Sequence, residues 1–515
     1  MAGDVERAFS PECPERPSWL RRHWRAGLLA AVALLLAISC RDMHLNPDSV
    51  HYIDMARTMI REHTVASWHL TLNAERVPMT NLYWPPLYPA LLAVPMAAGA
   101  SAETATWLIA VISYTAALGV LVWWLRQPEW ALAVGAGFIY LSFACGLPFR
   151  ALSEGPYVGL MLGALLCLAT AAGGRSRQAV LGAGLLSGAL AAAAMLCRHA
   201  GVATVATVLL VAILAPGTSR RRRAGLLLAV LVGVVVVLGP WLARQIMVNG
   251  ELFGPHRPVS RRPLAAMFRA LGSSIYLDFG AILLAMVVGA VGLRRAQEPA
   301  NASRRGFVSA ALLGGIVGAV AHIAVTMASQ MMYQIDVPPS TCYFFPAYVS
   351  VLLAGGSLLA TCTPPAGVLR RRWPLVVIAG APIALGPLFA GMVATDVTPR
   401  YTPLDAWIEQ NTAPGDLIIA HRAWPIRLHT GRPVLESGQA ADPPITDGQL
   451  VSRFLERFGH HFGDVYVIFF GDPERFVAEY EQAGLDVERV ATVRSRRHDY
   501  DRPALHDVAV LRLRH

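Results

Sequence analysis

The chain has 515 residues, of which 55% are hydrophobic and only 15% are charged, and its mean hydropathy is +0.45. A soluble domain has roughly 25% charged residues, so this composition excludes an ordinary soluble protein and predicts a chain that crosses a membrane several times. The formal net charge is +10, and all 44 basic residues are arginine, so any cationic phosphate site must use guanidinium groups. The seven cysteines have no CxxC spacing, which favours neither a disulfide framework nor a zinc site.

The N-terminus, residues 1–22, is polar and rich in proline, and it is predicted to be a cytoplasmic tail. An apolar run follows and ends at Cys40-Arg41-Asp42. Signal peptidase requires small residues at its cleavage site, so this sequence predicts a retained first helix and not a cleaved signal peptide.

Apolar segments long enough to cross the roughly 30 Å of bilayer hydrocarbon recur throughout residues 23–395. The sequence therefore predicts a mainly α-helical, polytopic membrane protein with a bundle of about eleven transmembrane helices. The predicted spans are 23–40, 103–125, 129–146, 151–172, 178–197, 200–216, 224–243, 275–293, 306–329, 343–362 and 373–395.

Arginines set the predicted orientation of these helices. Positively charged short loops stay in the cytoplasm, and arginines precede the first span. With the N-terminus inside, strict alternation also places the arginine runs 220–223 and 370–372 in cytoplasmic loops, and it leaves the C-terminus outside. Most acidic, histidine and aromatic residues then lie on the outer face, where we expect the chemistry.

The first outer loop, 41–102, begins with a predicted short helix that runs to about Glu62. Asn46 is a favourable N-cap residue, and Pro47 suits the first helical position. Asp54, in the middle of this helix, is predicted to pair with Arg57 or Arg61.

Helical spacing puts Asp48, His51 and Tyr52 on one face of this helix. Two interpretations of Asp48 remain open. It either only complements the helix dipole, or it is a carboxylate kept ionised at the membrane surface and available as a general base.

The stretch from Trp84 to Pro89, with the sequence WPPLYP, is predicted to be a non-helical turn, because proline lacks an N–H and restricts the residue before it. Trp84 is either an anchor at the membrane interface or one wall of a substrate pocket.

After Thr395 the composition becomes that of a soluble domain, so residues 396–515 are predicted to form a small extracytoplasmic α/β domain. Its predicted helices are 404–410 and 474–482, and its predicted strands are 416–421, 465–470 and 508–513. Asp499-Tyr500-Asp501 is formally a DxD metal motif, but the neighbouring arginines favour a solvated hairpin loop.

The sequence Pro47-Asp48-Ser49-Val50-His51-Tyr52, followed by Pro85-Pro86-Leu87, resembles the first outer loop of the GT-C-type glycosyltransferases. The protein O-mannosyltransferases and the bacterial lipid A aminoarabinose transferase carry similar patterns. Here Ser49 stands where many mannosyltransferases have glutamate, and Trp84 stands where the aminoarabinose enzymes have lysine.

The resemblance assigns roles to several residues. Asp48 matches the catalytic acid of the first loop, and Glu154 resembles a second acidic position of the family. Arg198 and Arg244, the latter after Gly239-Pro240-Trp241, resemble family arginines. The alternatives are that each arginine is a lipid-headgroup anchor and that Glu154 pairs with Arg150, four residues earlier.

The resemblance implies an inverting transferase in the bacterial inner membrane that moves a sugar from a polyprenyl-phosphate donor to a hydroxyl group of a glycan, lipid or protein. Asp48 would be the general base. Glu154, His51, Tyr52, Trp84, Arg198 and Arg244 would bind substrate. We expect contact with membrane lipids, no nucleic-acid partner and no cofactor, although a divalent metal stays possible. The alternative is a transporter or flippase of lipid-linked sugars, which typically has charged residues at the bilayer midplane.

Overall fold

The computed structural model describes most of the helical bundle and most of the C-terminal region. The described residues are 18–39, 47–71, 77–80, 84–123, 134–135, 137–139, 141–142, 153–174, 176–215, 219–249, 302–332, 341–359, 402–420, 423–436, 448–470, 473–499 and 502–514.

Ten helices are described between residues 18 and 359. They are α1 (Ser18–Ser39), α2 (Pro47–Arg61), α3 (Leu87–Ala97), α4 (Ala102–Trp123), α5 (Glu154–Gly173), α6 (Arg177–Cys197), α7 (Val202–Leu214), α8 (Arg220–Asn249), α9 (Ala302–Met332) and α10 (Thr341–Leu359).

Five of the described helices, α4, α5, α6, α8 and α9, are long and apolar enough to cross a membrane. They coincide with predicted spans, so the prediction of a mainly helical, multi-pass membrane protein is confirmed. The predicted spans 275–293 and 373–395, and most of 129–146, lie outside the described residues, and the count of eleven stays a prediction.

Helix α5 is the centre of the described bundle. In the apolar 18-residue stretch of each helix, 67% of α5 is buried inside the protein, but only 28% of α8 is. Helix α8 therefore exposes much more of its surface. A buried polar contact ties α5 to α9: the Tyr157 hydroxyl donates to Nε2 of His322. Nδ1 of His322 lies 2.6 Å from the carbonyl oxygen of Gly318, which can only accept, so Nδ1 carries the ring proton. This pairing gives Nε2 of His322 a hydrogen-bond partner inside the membrane.

Helix α3 corrects one prediction. The turn predicted for WPPLYP ends at Pro86, and a helix begins at Leu87 with Pro89 in its first turn. The first-turn N–H groups of a helix have no intrahelical partner, so proline costs little there.

The C-terminal region contains four helices and five strands among its described residues. These are α11 (Thr402–Asn411), α12 (Trp424–Thr430), α13 (Gly448–Phe458), α14 (Glu474–Gln482), β4 (Leu417–Ala420), β5 (Val434–Glu436), β6 (Val465–Phe470), β7 (Asp486–Asp499) and β8 (Arg502–Arg514). Each helix and strand predicted for this region overlaps one of these elements. Asp499 and Arg502 face each other at the end of the β7–β8 hairpin, so they flank its turn.

The sheet of this region has helices on both faces. Leu417 and Ile419 of β4 pack in a core that includes α13 and α14, and Ile418 and Ala420 pack in a second core that includes α11. A strand buried on both faces reads as a continuous apolar run, as this one does.

The first outer loop supplies one strand of the same sheet. The loop contains β1 (Ala66–Ser67), β2 (His69–Thr71) and β3 (Met79–Thr80), and β1 pairs with β3. Strand β2 pairs in parallel with β5, and the sheet order is β2-β5-β4-β6-β8-β7. The sequence did not predict β2, and the predicted domain boundary at residue 396 falls outside the described residues.

Candidate active site

Asp48 lies in the first turn of α2, which begins at Pro47 as predicted. The side chain is half-buried, whereas Ser49 and Val50 beside it are buried. Asp48 therefore lies at the boundary between the protein interior and its surface. The predicted N-cap residue, Asn46, lies outside the described residues.

Aromatic rings follow Asp48 along α2. The His51 ring stacks on Trp84 with centroids 5.7 Å apart, and the Tyr52 ring meets Trp84 edge-on at 5.2 Å. Tyr52 also packs edge-on against Tyr88 of α3 at 4.9 Å. The structure thus brings together His51, Tyr52 and Trp84, three of the residues that the sequence predicted to bind substrate.

Glu154 and Arg198 form an ion pair next to this helix. Nη1 of Arg198, just after α6, lies 2.5 Å from Oε1 of Glu154, the first residue of α5. Glu154 is 3% exposed, and its other oxygen, Oε2, is buried without a hydrogen-bond partner among the described residues. The predicted alternative partner, Arg150, lies outside the described residues.

Ser153 joins this ion pair to α2. The Tyr52 hydroxyl lies 3.2 Å from Oγ of Ser153, the residue before Glu154. We call the end of the bundle where α2, the start of α5 and the end of α6 meet the site end.

The electrostatic surroundings of Asp48 involve the same two residues. Burial raises the pKa of Asp48 to about 6, the positive charge of Arg198 lowers it, and the negative charge of Glu154 raises it. A carboxyl group with this pKa is mostly ionised at pH 7 and still accepts a proton readily, as a general base must.

His51 is held in its neutral form. Burial and the neighbouring His69 lower its pKa well below the ordinary value. The two imidazole rings are stacked in parallel with centroids 4.2 Å apart, and Nε2 of His69 lies 2.6 Å from a carboxylate oxygen of Glu436. Nδ1 of His51 is buried without a hydrogen-bond partner in the described part of the chain, so it is available to a bound ligand.

The predicted pairing of Asp54 with Arg57 or Arg61 is wrong. Asp54 is fully buried, and Arg427 of α12 donates to its Oδ1 through Nε at 2.8 Å and through Nη2. Its Oδ2 accepts from the Ser67 hydroxyl at 2.8 Å and from the Trp68 backbone N–H at 2.6 Å.

These contacts decide the charge state of Asp54. Burial alone would raise the pKa of Asp54, but the charge and hydrogen bonds of Arg427, together with the hydrogen bonds from Ser67 and Trp68, outweigh it, and the pKa is lowered. Arg57 instead donates to the backbone oxygen of Leu428 at 3.3 Å. A long-range partner has therefore replaced the local one.

Arg244 lies apart from the Asp48 cluster in the described structure. It belongs to α8, and its guanidinium lies over the ring of Trp241, 5.2 Å from the ring centroid. The described contacts do not join it to Asp48 or Glu154, so its predicted role in substrate binding stays a prediction.

Candidate metal ligands do not cluster among the described residues. No group of three or more histidine, cysteine, aspartate or glutamate side chains comes together there in a way that could hold a metal ion. What the cluster does offer is the half-buried Asp48, an ion pair in which Oε2 of Glu154 has no partner among the described residues, and the aromatic rings of His51, Tyr52 and Trp84.

Sequence reasoning missed two residues near this site, His69 and Arg427. His69 lies in a stretch without clear periodicity, and Arg427 lies 373 positions beyond its partner. The one available signal was Asp54 itself, because a carboxylate among apolar helix positions demands a buried partner.

No family model and no curated protein matches the chain. The solved structures do provide matches. One is ArnT from Cupriavidus metallidurans in the apo state, with a TM-score of 0.64 and 16% identity over 94% of this chain and 97% of that chain. The same protein bound to undecaprenyl phosphate matches with a TM-score of 0.65 and 16% identity, over 95% of this chain and 98% of that chain.

A third match is the oligosaccharyltransferase of Archaeoglobus fulgidus in its apo form. Its TM-score is 0.53 at 12% identity, over 95% of this chain and 77% of that chain. Identities this low establish a shared fold and leave the reaction to be argued from the site. ArnT and the oligosaccharyltransferase are both GT-C glycosyltransferases. The chain therefore has the fold of the GT-C-type glycosyltransferases, which confirms the resemblance predicted from its sequence.

Proposed function

We propose that this protein is a membrane glycosyltransferase that moves a sugar from a polyprenyl-phosphate donor to a hydroxyl group of a glycan, lipid or protein, with inversion at the anomeric carbon. Asp48 is its general base. One observation carries the proposal: within a GT-C fold, Asp48 is half-buried, has a pKa of about 6, and lies under the electrostatic influence of the Arg198–Glu154 pair.

The proposed reaction is a single displacement. The acceptor oxygen attacks the anomeric carbon, Asp48 takes the proton of the acceptor hydroxyl, and the bond from the sugar to the lipid phosphate breaks. The phosphate is already a good leaving group, so the protein needs a base and fixed positive charge, and it needs no paired acid.

The Arg198–Glu154 pair supports a second role, in sugar binding. Oε1 of Glu154 accepts from Arg198, while Oε2 is buried and unpaired among the described residues. A buried carboxylate oxygen without a partner is costly, and a sugar hydroxyl that donates to it would remove that cost. We assign Glu154 to the sugar and Arg198 to the negative charge that develops on the phosphate.

The aromatic wall supports the position of the donor lipid. His51, Tyr52 and Trp84 form one side of the Asp48 cluster, and such rings suit both sugar faces and the membrane interface. The bound state of ArnT contains undecaprenyl phosphate. By analogy we infer a polyprenyl-phosphate donor here, and we infer that the site end faces the outside of a bacterial inner membrane.

A transporter or flippase is the competing function. Asp48, Glu154 and Arg198 lie together at one end of the bundle, and the polar contact deeper in the membrane, between Tyr157 and His322, is internally satisfied. That arrangement favours an enzyme that acts at one surface.

The decisive experiment replaces Asp48 with asparagine. Loss of a general base slows transfer by about 10²-fold or more, measured as incorporation of radiolabelled sugar from a panel of undecaprenyl-phosphate sugars in membranes. The folded pKa exceeds the ordinary 3.8, so ionising Asp48 costs stability as pH rises from about 4 to 6. The asparagine variant should therefore unfold at an unchanged or higher temperature.

Glu62→Gln is the matched control, because Glu62 is an exposed carboxylate that directly follows the same helix. Its Oε1 accepts a hydrogen bond from the Trp68 indole N–H. It should retain nearly full transfer activity. Activity of Asp48→Asn equal to that of this control would contradict the assignment of the base.

A further inference from the structure

Helices α6 and α8 cross closely and run parallel. A Cβ atom built on Gly188 would lie 2.0 Å from the carbonyl oxygen of Val230, and one on Gly233 would lie 2.2 Å from that of Leu185. Glycine at both positions lets the two backbones touch. The crossing fixes the separation of the two helices at their centre.

Toward their N-termini the same helices separate. A Cβ atom on Gly225 would lie 3.6 Å from the side chain of Leu181, which is an ordinary contact. Between the two helix ends lies a cavity of about 480 Å³, with Val180, Leu181 and Gly225 on its apolar side. Helix α6 has 21 residues, so the cavity is about 30 Å from Arg198 at the site end. It is therefore separate from the candidate active site.

The polar side of the cavity is cationic. Ser176 and Arg177 line it at the start of α6, and Ser219, Arg221 and Arg222 line it at the start of α8. No acidic side chain lines it among the described residues. Two helix N-termini, with their partial positive charge, point to the same place.

Arg222 gives an independent indication of a ligand. Its Nη2 donates to the backbone oxygen of Ala171 at 3.2 Å and to that of Gly174, which holds the side chain in place. Its Nε is buried without a hydrogen-bond partner in the described residues. A fixed guanidinium with an unused donor is suited to an anion with several oxygens, such as phosphate.

The surroundings of the cavity indicate that this phosphate belongs to a lipid. About one turn deeper, Leu185 of α6 is 44% exposed and Leu228 of α8 is 63% exposed. An apolar surface thus continues from the cationic cavity into the membrane, where an acyl chain would lie. We propose that this cavity binds the headgroup phosphate of an anionic phospholipid, with Arg177, Arg221 and Arg222 as its ligands.

The test compares lipid binding to the purified full-length protein by native mass spectrometry, with phosphatidylglycerol and phosphatidylcholine as probes. The wild-type protein should retain phosphatidylglycerol in preference to phosphatidylcholine. Arg177→Gln/Arg221→Gln should weaken phosphatidylglycerol binding by about tenfold or more, since each arginine near an anionic lipid surface contributes about fivefold. Both side chains are exposed, so the variant should fold.

Arg220→Gln/Arg223→Gln is the matched control, because it removes the same number of positive charges from the same end of the bundle and changes no residue that lines the cavity. It should bind phosphatidylglycerol nearly as the wild type does. Equal weakening in both variants, or no lipid preference in the wild type, would overturn the proposal.

Competition with inorganic phosphate distinguishes a site for a lipid headgroup from a site for free phosphate. At millimolar concentration it should leave most phosphatidylglycerol bound, because it lacks the acyl chains. Complete displacement would show a site for free phosphate and would overturn the lipid assignment. The bound lipid should also raise the unfolding temperature of the wild type more than that of Arg177→Gln/Arg221→Gln.

Discussion

Three influences set the charge on Asp48: burial, Arg198 and Glu154. Burial and Glu154 favour the protonated form, and Arg198 favours the carboxylate. Because a base works only when ionised, transfer should fall about tenfold per pH unit below pH 6 and level off above it. Initial rates across pH 4.5 to 8, at saturating and limiting donor concentrations, measure this fall on the acidic side of the pH–rate profile, called the acid limb below. A rate that does not change through pH 6 would argue against Asp48 as the base.

Substitutions of Glu154 and Arg198 should shift this acid limb of the pH–rate profile in opposite directions. Glu154→Gln removes a negative charge, so the apparent pKa should fall and the limb should move to lower pH. Arg198→Gln removes a positive charge, so the limb should move to higher pH. If Glu154 and Arg198 bind substrate, both variants also lose activity. A purely structural role for these residues would not shift the pH–rate profiles of the two variants in opposite directions. A shift in the same direction for both would contradict the proposed electrostatics.

At the scale of the elements, the link between α2 and α12 positions the helix that carries Asp48. Asp54 and Arg427 are both buried, and the side chains of His69 in β2 and Glu436 in the paired strand β5 are in contact. The C-terminal region and the first loop therefore share one sheet and one buried ion pair. A change in the C-terminal region should reach Asp48 through these contacts.

Arg427→Met should loosen this link strongly, because it leaves Asp54 buried and uncompensated at a cost of about 3–5 kcal/mol. The measurement is hydrogen exchange of the β2 and β5 backbone amides, which should speed up. Asp54→Asn/Arg427→Met should recover part of the protection of these amides from exchange, since it removes the unpaired buried charge.

The matched control for Arg427→Met is Arg512→Met. Arg512 and Asp464 form an ion pair in the same region, but their side chains are 35% and 42% exposed. Solvent screens such an exposed pair, so it contributes little to stability and exchange should barely change. Equal effects of Arg427→Met and Arg512→Met would show that burial of the Asp54 pair has no special role.

At the scale of the whole molecule, the charges divide between the two ends of the bundle. Arginines line the α6 and α8 N-termini, whereas Asp48, Glu154 and the C-terminal region lie at the site end. The positive-inside rule then predicts the site end outside. A donor lipid and an acceptor would both reach Asp48 from the outer surface.

Cysteine labelling of intact cells tests this orientation. A membrane-impermeant maleimide should label Glu481→Cys, an exposed position on α14, without permeabilisation. Arg221→Cys should be labelled only after the membrane is opened. The unsubstituted protein gives the background from its own cysteines. The reverse labelling pattern would place the site end in the cytoplasm.

The sequence by itself determined features that depend on local pattern. Apolar length predicted the transmembrane helices, proline and the dipole-favoring Asp48 predicted α2, and continuous apolar runs predicted β4 and β6. Each of these depends on residues close together in the chain, so composition and periodicity suffice. The resemblance of the first loop then indicated the GT-C fold.

Only the tertiary structure decided which distant residues meet. Asp54 pairs with Arg427 and not with Arg57 or Arg61, Glu154 pairs with Arg198, and β2 joins a sheet whose other strands begin at Leu417. Helical spacing identifies neighbours within one element, but a buried charge is stabilised by whichever partner the packing of the whole chain brings to it. For that reason the sequence could propose Asp48 as a candidate base, whereas it could not predict the contacts around α2 or the pKa of Asp48.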